Sequence, residues 1–236
     1  MKKIILIFTF IPIVIFSQSE GKDKKGFNKW DIGLNGGVNI NNPLVNDSKG
    51  FYFDNTSGKL YGLTVVYHFN RFFALKADFD IENRGWIMKD YNNSYDIDGD
   101  GTLENIELKD VTQVLDYFDI PAFMHIGFGK KFKVDLNLGP YFGFKIKDEI
   151  HSYTPDGNEL TDSQTRGQIG IDVKGFDNFD FGLVYGIGFD YQIHRLFSIG
   201  FDALFERGMK VINKGGYKNS SIDFDFGINF HLGRKK

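Results

Sequence analysis

"FFALKADFDIE", residues 72–82, alternates without a break. Phe73, Leu75, Ala77, Phe79 and Ile81 fall on one side of an extended chain, and Lys76, Asp78, Asp80 and Glu82 on the other. A period of two marks a strand whose two faces meet different surroundings. The same period recurs on both sides of this stretch. Upstream it sets Ile32, Leu34, Val38 and Ile40 against Gly33, Asn35, Gly37 and Asn39, then Tyr61, Leu63, Val65 and Tyr67 against Gly62, Thr64 and His68. Downstream, Phe118 to Phe128 alternate with Asp119 and His125, and Val134 to Ile146 with Asp135, Asn137 and Lys145. Three more segments follow at 179–191, 197–206 and 222–230, with Asp180, Asp190, Asp202, Glu206, Asp223 and Asp225 on their polar sides. No stretch after the N-terminus keeps a helical period.

The connections alternate in length. Asn70-Arg71, Gly129 to Lys131 and Ile193 to Arg195 make tight turns, whereas long polar stretches occupy about 41–59, 87–111, 147–178 and 209–219. Segments of about ten residues suffice to cross a bilayer at a tilt, and short turns alternating with long loops are the pattern of membrane barrels. The apolar side is Phe, Ile, Leu and Val on all eight segments, more apolar surface than the cavity of a small soluble barrel takes in. The polar side, rich in Asp and Gly, suits a narrow lumen in which Lys76, Arg84, Lys145 and Arg207 offset part of the acidic set. Aromatic rings gather at segment ends. Tyr67, Phe69, Phe72, Phe128, Phe132, Tyr191 and Phe197 flank the short turns, Trp30 begins the first strand, and Trp86, Tyr117, Phe144 and Phe179 lie towards the long loops. Such girdles belong at membrane interfaces. The pattern predicts an all-β protein, an eight-stranded antiparallel transmembrane up-and-down β-barrel with short periplasmic turns and long external loops.

The N-terminus agrees with export. Lys2 and Lys3 precede the apolar run Ile4–Phe16, and Ser17 offers a small residue before a cleavage point, so residues 1–17 read as a signal peptide and 18–236 as one barrel domain. The 236 residues carry a net charge of −3, 26 Phe, 28 Gly and no Cys. Disulfides, thiolate metal sites and cysteine nucleophiles are excluded, and nothing in the charge points to nucleic acid. The expected partner is outer-membrane lipid around a monomeric barrel, with a protein partner or extracellular ligand at the external loops.

"GLNGGVNINN", "DFDIENRGW", "YFDIPAFMHIGF", "LNLGPYFGF" and "FDFGLVYGIGFDY" occur in that order along the chain. Together they cover nearly the whole mature sequence, which resembles the PorT-like outer-membrane β-barrel family of Gram-negative bacteria. The last segment also resembles a barrel-assembly signal, with Asp225, Gly227, Phe230 and Leu232 at polar-x-Gly-x-x-aromatic-x-hydrophobic spacing, but "GRKK" follows Leu232. The resemblance implies a membrane barrel. Some family members are linked to protein secretion machinery, and no motif here carries that role over.

One external stretch has chemistry of its own. "DIDGDGTLENIE", residues 96–107, fits the calcium-loop template at every constrained position. Hard cations take oxygen ligands, and the order supplies them: carboxylates of Asp96, Asp98 and Asp100, the carbonyl of Thr102, Glu104 through water, and Glu107 to close the shell. Gly101 makes the sharp turn. The motif predicts calcium as a ligand that orders an external loop, against a plain acidic turn as the competing reading. Flanking helices are not evident, so a paired EF-hand domain is not expected.

For catalysis, only His151, beside Ser152, lies in an outer loop; the other His fall near the periplasmic turns. The chain reads as a non-enzymatic barrel with a filled lumen, acting in binding, adhesion or envelope structure. The competing readings are a narrow cation-preferring channel, a membrane-embedded enzyme using His151, and an accessory subunit of a secretion machine.

Overall fold

The computed structural model describes residues 28–45, 52–95, 101–102, 104–169, 175–213 and 215–234. The signal segment 1–17 lies outside them. Eight strands close a ring: β1 (Asn28–Asn41), β4 (Thr56–His68), β5 (Phe73–Lys89), β7 (Glu104–Gly129), β8 (Phe132–Tyr153), β10 (Phe179–His194), β11 (Phe197–Gly208) and β13 (Ser220–Arg234). Each pairs antiparallel with the next, and β13 returns to β1 from Asn28↔Arg234 to Asn41↔Ser221. Closure leaves no unpaired edge, the condition for a sheet to sit in lipid. The short strands β2 (Leu44–Val45), β3 (Tyr52–Asp54), β6 (Tyr91–Tyr95), β9 (Glu159–Leu160) and β12 (Tyr217–Lys218), with helix α1 (Asp162–Ile169), all belong to the long connections.

The period-two faces are placed as their chemistry requires. Leu34, Leu63, Leu75, Met124, Leu138 and Phe226 are exposed on the outside, while Lys76, Asp78, Asp80, Glu82, Asp119 and Asp135 are buried inside. At the short-turn end Trp30 packs on Tyr67 at 4.7 Å and Tyr67 on Phe69 at 5.2 Å; at the other end Phe144 meets Phe179 at 5.4 Å. These are the two girdles. Trp86 and Tyr117 do not join them. Trp86 has the parity of Glu82, and Tyr117 that of Asp119, so both rings point inward and are buried. Arg207 is corrected by the same rule: it stands one residue past the lumen-facing Glu206 and is exposed on the outer wall.

The strands also run further than the expected loop limits. β7 has 26 residues and β8 has 22. At about 3.3 Å per residue β7 is about 85 Å long, against an apolar band of about 25 Å. The outward face of β8 is apolar up to Ile146, then carries Lys147, Glu149 and His151. The pairs Asp116↔Lys147 and Tyr117↔Lys145 leave Ile146 as an extra residue in β8, a bulge that shifts the register against β7. The extra residue resets the phase of alternation. Above it the wall stands in water on its outer side, and Tyr91, Ile106, Leu108, Val111, Ile150 and Leu160 form a separate apolar core. Most of the stretches expected as loops at 87–111 and 147–178 are therefore a folded crown.

Candidate functional site

The lumen is filled layer by layer. Uppermost, Trp86 stacks on Tyr217 at 4.9 Å and meets Phe176 edge-on at 5.2 Å, with Leu115, Tyr117 and Ile212 around them. This lid draws Phe176, Ile212 and Tyr217 in from two external connections. Directly below, the Arg84 guanidinium lies 2.6 Å from Glu82, 2.8 Å from Asp119 and 2.5 Å from Glu206 through Nη2, with Asp180 3.7 Å from Nη1. Its Cζ stands over the rings of Tyr117 and Tyr141, 5.4 and 5.0 Å from their centroids. Asn39 donates to Glu82 at 2.6 Å, and the Tyr141 hydroxyl donates to Asp180 at 2.9 Å. An apolar layer of Phe123, Tyr141, Val184 and Leu204 follows. Beneath it Lys76 reaches Asp202 at 2.7 Å and Asp78 at 3.4 Å. At the periplasmic end Asp31 accepts bonds from His68 and His231, both at 2.8 Å. In an eight-stranded barrel the interior is narrow enough for side chains to fill it.

The crown is the part that meets the exterior. β6 and β7 pair from Tyr91↔Leu108 to Tyr95↔Glu104, so residues 104–107 of the calcium-loop motif lie in β7 and 96–103 connect the two strands. Asp96, Asp98 and Asp100 lie outside the described residues. Thr102 is exposed coil, Glu104 opens β7, and Glu107 lies three residues along that strand, exposed and across from Asn92, whose amide is 3.4 Å away. Where a helix follows the loop in an EF-hand, a strand follows here. Asp90 and Asp110 take positive φ values of 46° and 47° where the hairpin leaves the wall. Asp is among the few residues that tolerate this conformation.

Helix α1 is tied to the wall by charge. Thr161 and Gln164 make half a capping box, the Thr161 amide donating to Gln164 at 3.0 Å. That T-x-x-Q spacing was the signal by which sequence reasoning could have found the helix. Arg166 bonds Asp162 at 2.9 Å and Asp148 of β8 at 3.0 Å. Burial opposes ionisation of Asp148, yet bonds from Lys145 and Arg166 outweigh it and hold its carboxyl below the ordinary range. The Arg166 bond likewise lowers Asp162 against a smaller opposing effect of burial. A lowered folded pKa stabilises above the unfolded value near 3.9 and stops doing so as pH falls through the folded one. Arg166→Gln is therefore expected to speed amide exchange in α1 about fivefold at pH 7, equivalent to about 1 kcal/mol for a part-exposed pair. By mass spectrometry that difference should shrink below about pH 4; an equal rate at pH 7 would mean the ion pairs do not dock the helix.

His151 and Ser152 are neighbours on β8 and face opposite ways. His151 lies 3.6 Å from Glu149, whereas Ser152 is buried and bonded to Thr165 at 2.9 Å. The structure does not bring them together as nucleophile and base.

A family model described as an outer membrane protein beta-barrel domain matches residues 16–214. The chain belongs to that family. As a member of the outer membrane beta-barrel family it sits in the outer membrane, its apolar band in lipid. No curated protein matches it. Among solved structures, Ail, the attachment invasion locus protein of Yersinia pestis, in complex with the heparin analogue sucrose octasulfate, aligns at 12% identity over 86% of this chain and 99% of its own, with a TM-score of 0.43. Neisserial surface protein A aligns at 11% identity over 86% and 97%, with a TM-score of 0.44. OprG from Pseudomonas aeruginosa aligns at 15% over 87% and 97%, with a TM-score of 0.43. At such identities nothing of their roles passes to this barrel.

Proposed function

We propose that this barrel is a closed, non-enzymatic, monomeric membrane anchor that holds a rigid crown outside the cell, and that the crown binds an extracellular ligand or protein partner. The observation that carries the reading is the contrast between the two ends of the molecule. The lumen is closed by side chains in several layers, whereas the crown has its own apolar core and carries the β6–β7 hairpin. A lumen blocked at several levels argues against the channel reading, and the separation of His151 from Ser152 against the enzyme reading. Within the family, the ordered motifs from "GLNGGVNINN" to "FDFGLVYGIGFDY" support the PorT-like branch.

Calcium orders the hairpin tip in this proposal, through Asp96, Asp98, Asp100, Thr102, Glu104 and Glu107. Support comes from the template match and from its place on the exterior, where affinities of about 10⁻⁴ to 10⁻³ M suffice. Calorimetry on the detergent-folded protein is expected to show one saturable calcium site below about 1 mM, weakened at least tenfold in Glu107→Gln. The same pair, displayed on cells, should then differ in calcium-dependent adhesion to immobilised host-matrix protein. Equal calcium binding by the two proteins would remove the ion from the reading. Adhesion unaffected by deleting 96–103 would remove the crown tip.

A further inference from the structure

At the periplasmic end of the lumen, three strands bring His125 of β7, Asp135 of β8 and Asp190 of β10 together, with one donor atom of each within 4.8 Å of the others. We propose that these residues bind a divalent metal ion of the zinc class, a site separate from the external hairpin.

The hydrogen bonds around His125 decide which of its nitrogens is available. Asn137 donates its amide nitrogen to Asp202 at 2.8 Å, so its oxygen faces the His125 ring. That oxygen lies 2.8 Å from Nδ1, which must therefore carry the proton. In the neutral ring Nε2 then presents a lone pair. Oδ1 of Asp135 stands 3.4 Å from it, and that oxygen is buried without a hydrogen-bond partner. Two acceptors this close across a buried gap are relieved by a proton or by a metal ion between them. The distance fits the ion: tetrahedral ligands with bonds of about 2.1 Å stand about 3.4 Å apart. Asp190 supplies a third donor after a small inward shift, and water a fourth. An Nδ1–H held by a side-chain oxygen is also the usual outer-shell support of a metal-binding His.

The surroundings leave room and charge for the ion. A cavity of about 30 Å³ lies against all three residues, space for one or two water-sized occupants. Its wall carries five carboxylates, those of Asp31, Asp135, Asp190, Asp202 and Asp225, and one ammonium, Lys76, which is already paired with Asp202. Gly127 leaves the Asp135 carboxylate its place, since a Cβ there would stand 2.6 Å from Oδ1. Access is from the periplasm: Asp190 also lines a wider cavity of about 360 Å³ at the barrel mouth, beside Lys133, its cross-strand partner.

The other candidate cluster, Glu82, Asp119 and Glu206, already holds Arg84 in the place an ion would take. It is a structural site.

The test uses the untagged, chelator-stripped mature chain folded in detergent, with zinc alone as the probe. Calorimetry is expected to give one zinc per barrel, and cobalt(II) a visible absorption band from a nitrogen–oxygen site. His125→Ala and Asp135→Asn should each weaken zinc at least tenfold, and Asn137→Ala about tenfold through the ring orientation. Glu107→Gln should leave zinc binding unchanged, which separates this site from the hairpin. Heat-modifiable gel migration reports that each variant is folded; Asp135→Asn, nearly the same size, decides if His125→Ala is not. Absence of stoichiometric zinc binding by the wild type would overturn the proposal, leaving the 3.4 Å contact as an imidazolium–carboxylate pair. Undiminished binding in Asp135→Asn would overturn it as well.

Discussion

Arg84→Met should be the most damaging single substitution in the barrel, costing about 3–5 kcal/mol or preventing folding. The side chain keeps its length and loses its charge. What it leaves behind are Glu82, Asp119 and Glu206, each within 2.8 Å of the guanidinium and each nearly inaccessible to water. Removing one member of a buried ion pair is far worse than replacing the whole pair, because the remaining charge has neither water nor partner. Here one cation serves three carboxylates at hydrogen-bond distance. Against a total stability of about 5–15 kcal/mol, that loss is decisive.

Two companion variants separate charge from shape. Arg84→Lys keeps the charge but not the planar fork or the guanidinium's placement over Tyr117 and Tyr141, and should lose about 1–3 kcal/mol. Adding Glu206→Gln to Arg84→Met removes one stranded carboxylate and should recover part of the loss. Urea unfolding in lipid bilayers, followed by gel migration, measures all three. Arg84→Met within about 1 kcal/mol of the wild type would show that the cluster is held together by something other than this cation.

The stretch around Arg84 also shows how far the sequence could be read. Period two carried the lumen assignment of Lys76, Asp78, Asp80 and Glu82, and, continued two and four residues, it carries Arg84 and Trp86 inside as well. At Trp86 residue chemistry and parity disagree (an aromatic near a loop suits an interface), and parity decides: the ring is buried in the lumen. At Arg207 the charge suggests the lumen, but its parity places it on the outer wall. The crown was harder to see. Above Ile146 the outer face meets water rather than lipid, the bulge shifts the phase, and a polar outer face with sparse apolar residues looks like loop. The helix left only its Thr161–Gln164 cap. His125, Asp135 and Asp190 come from three strands, and their meeting depends on the registers Gly127↔Asp135 and Asp190↔Lys133, which no local pattern sets.

The second large effect is expected at the lid, where Trp86→Ala should destabilise the protein by about 3 kcal/mol, the low end for a buried Trp, since the gap opens towards external solvent. Trp86 is the residue on which Tyr217 and Phe176 both pack, so its loss frees both connections that cross the lumen mouth. If the lid alone closed the barrel, the variant would conduct ions. It should not, because the Arg84 layer lies beneath, and below that Phe123, Tyr141, Val184 and Leu204 fill the bore with apolar side chains. Planar-bilayer recordings are thus expected to show no unitary steps for the wild type or for Trp86→Ala, while amide exchange around Phe176 and Tyr217 rises in the variant. Steps in Trp86→Ala alone would make the lid a gate and the lower layers permeable. Steps in the wild type would restore the narrow channel as the reading of this barrel, because ions would then be passing layers whose closure is what assigns its work to the crown.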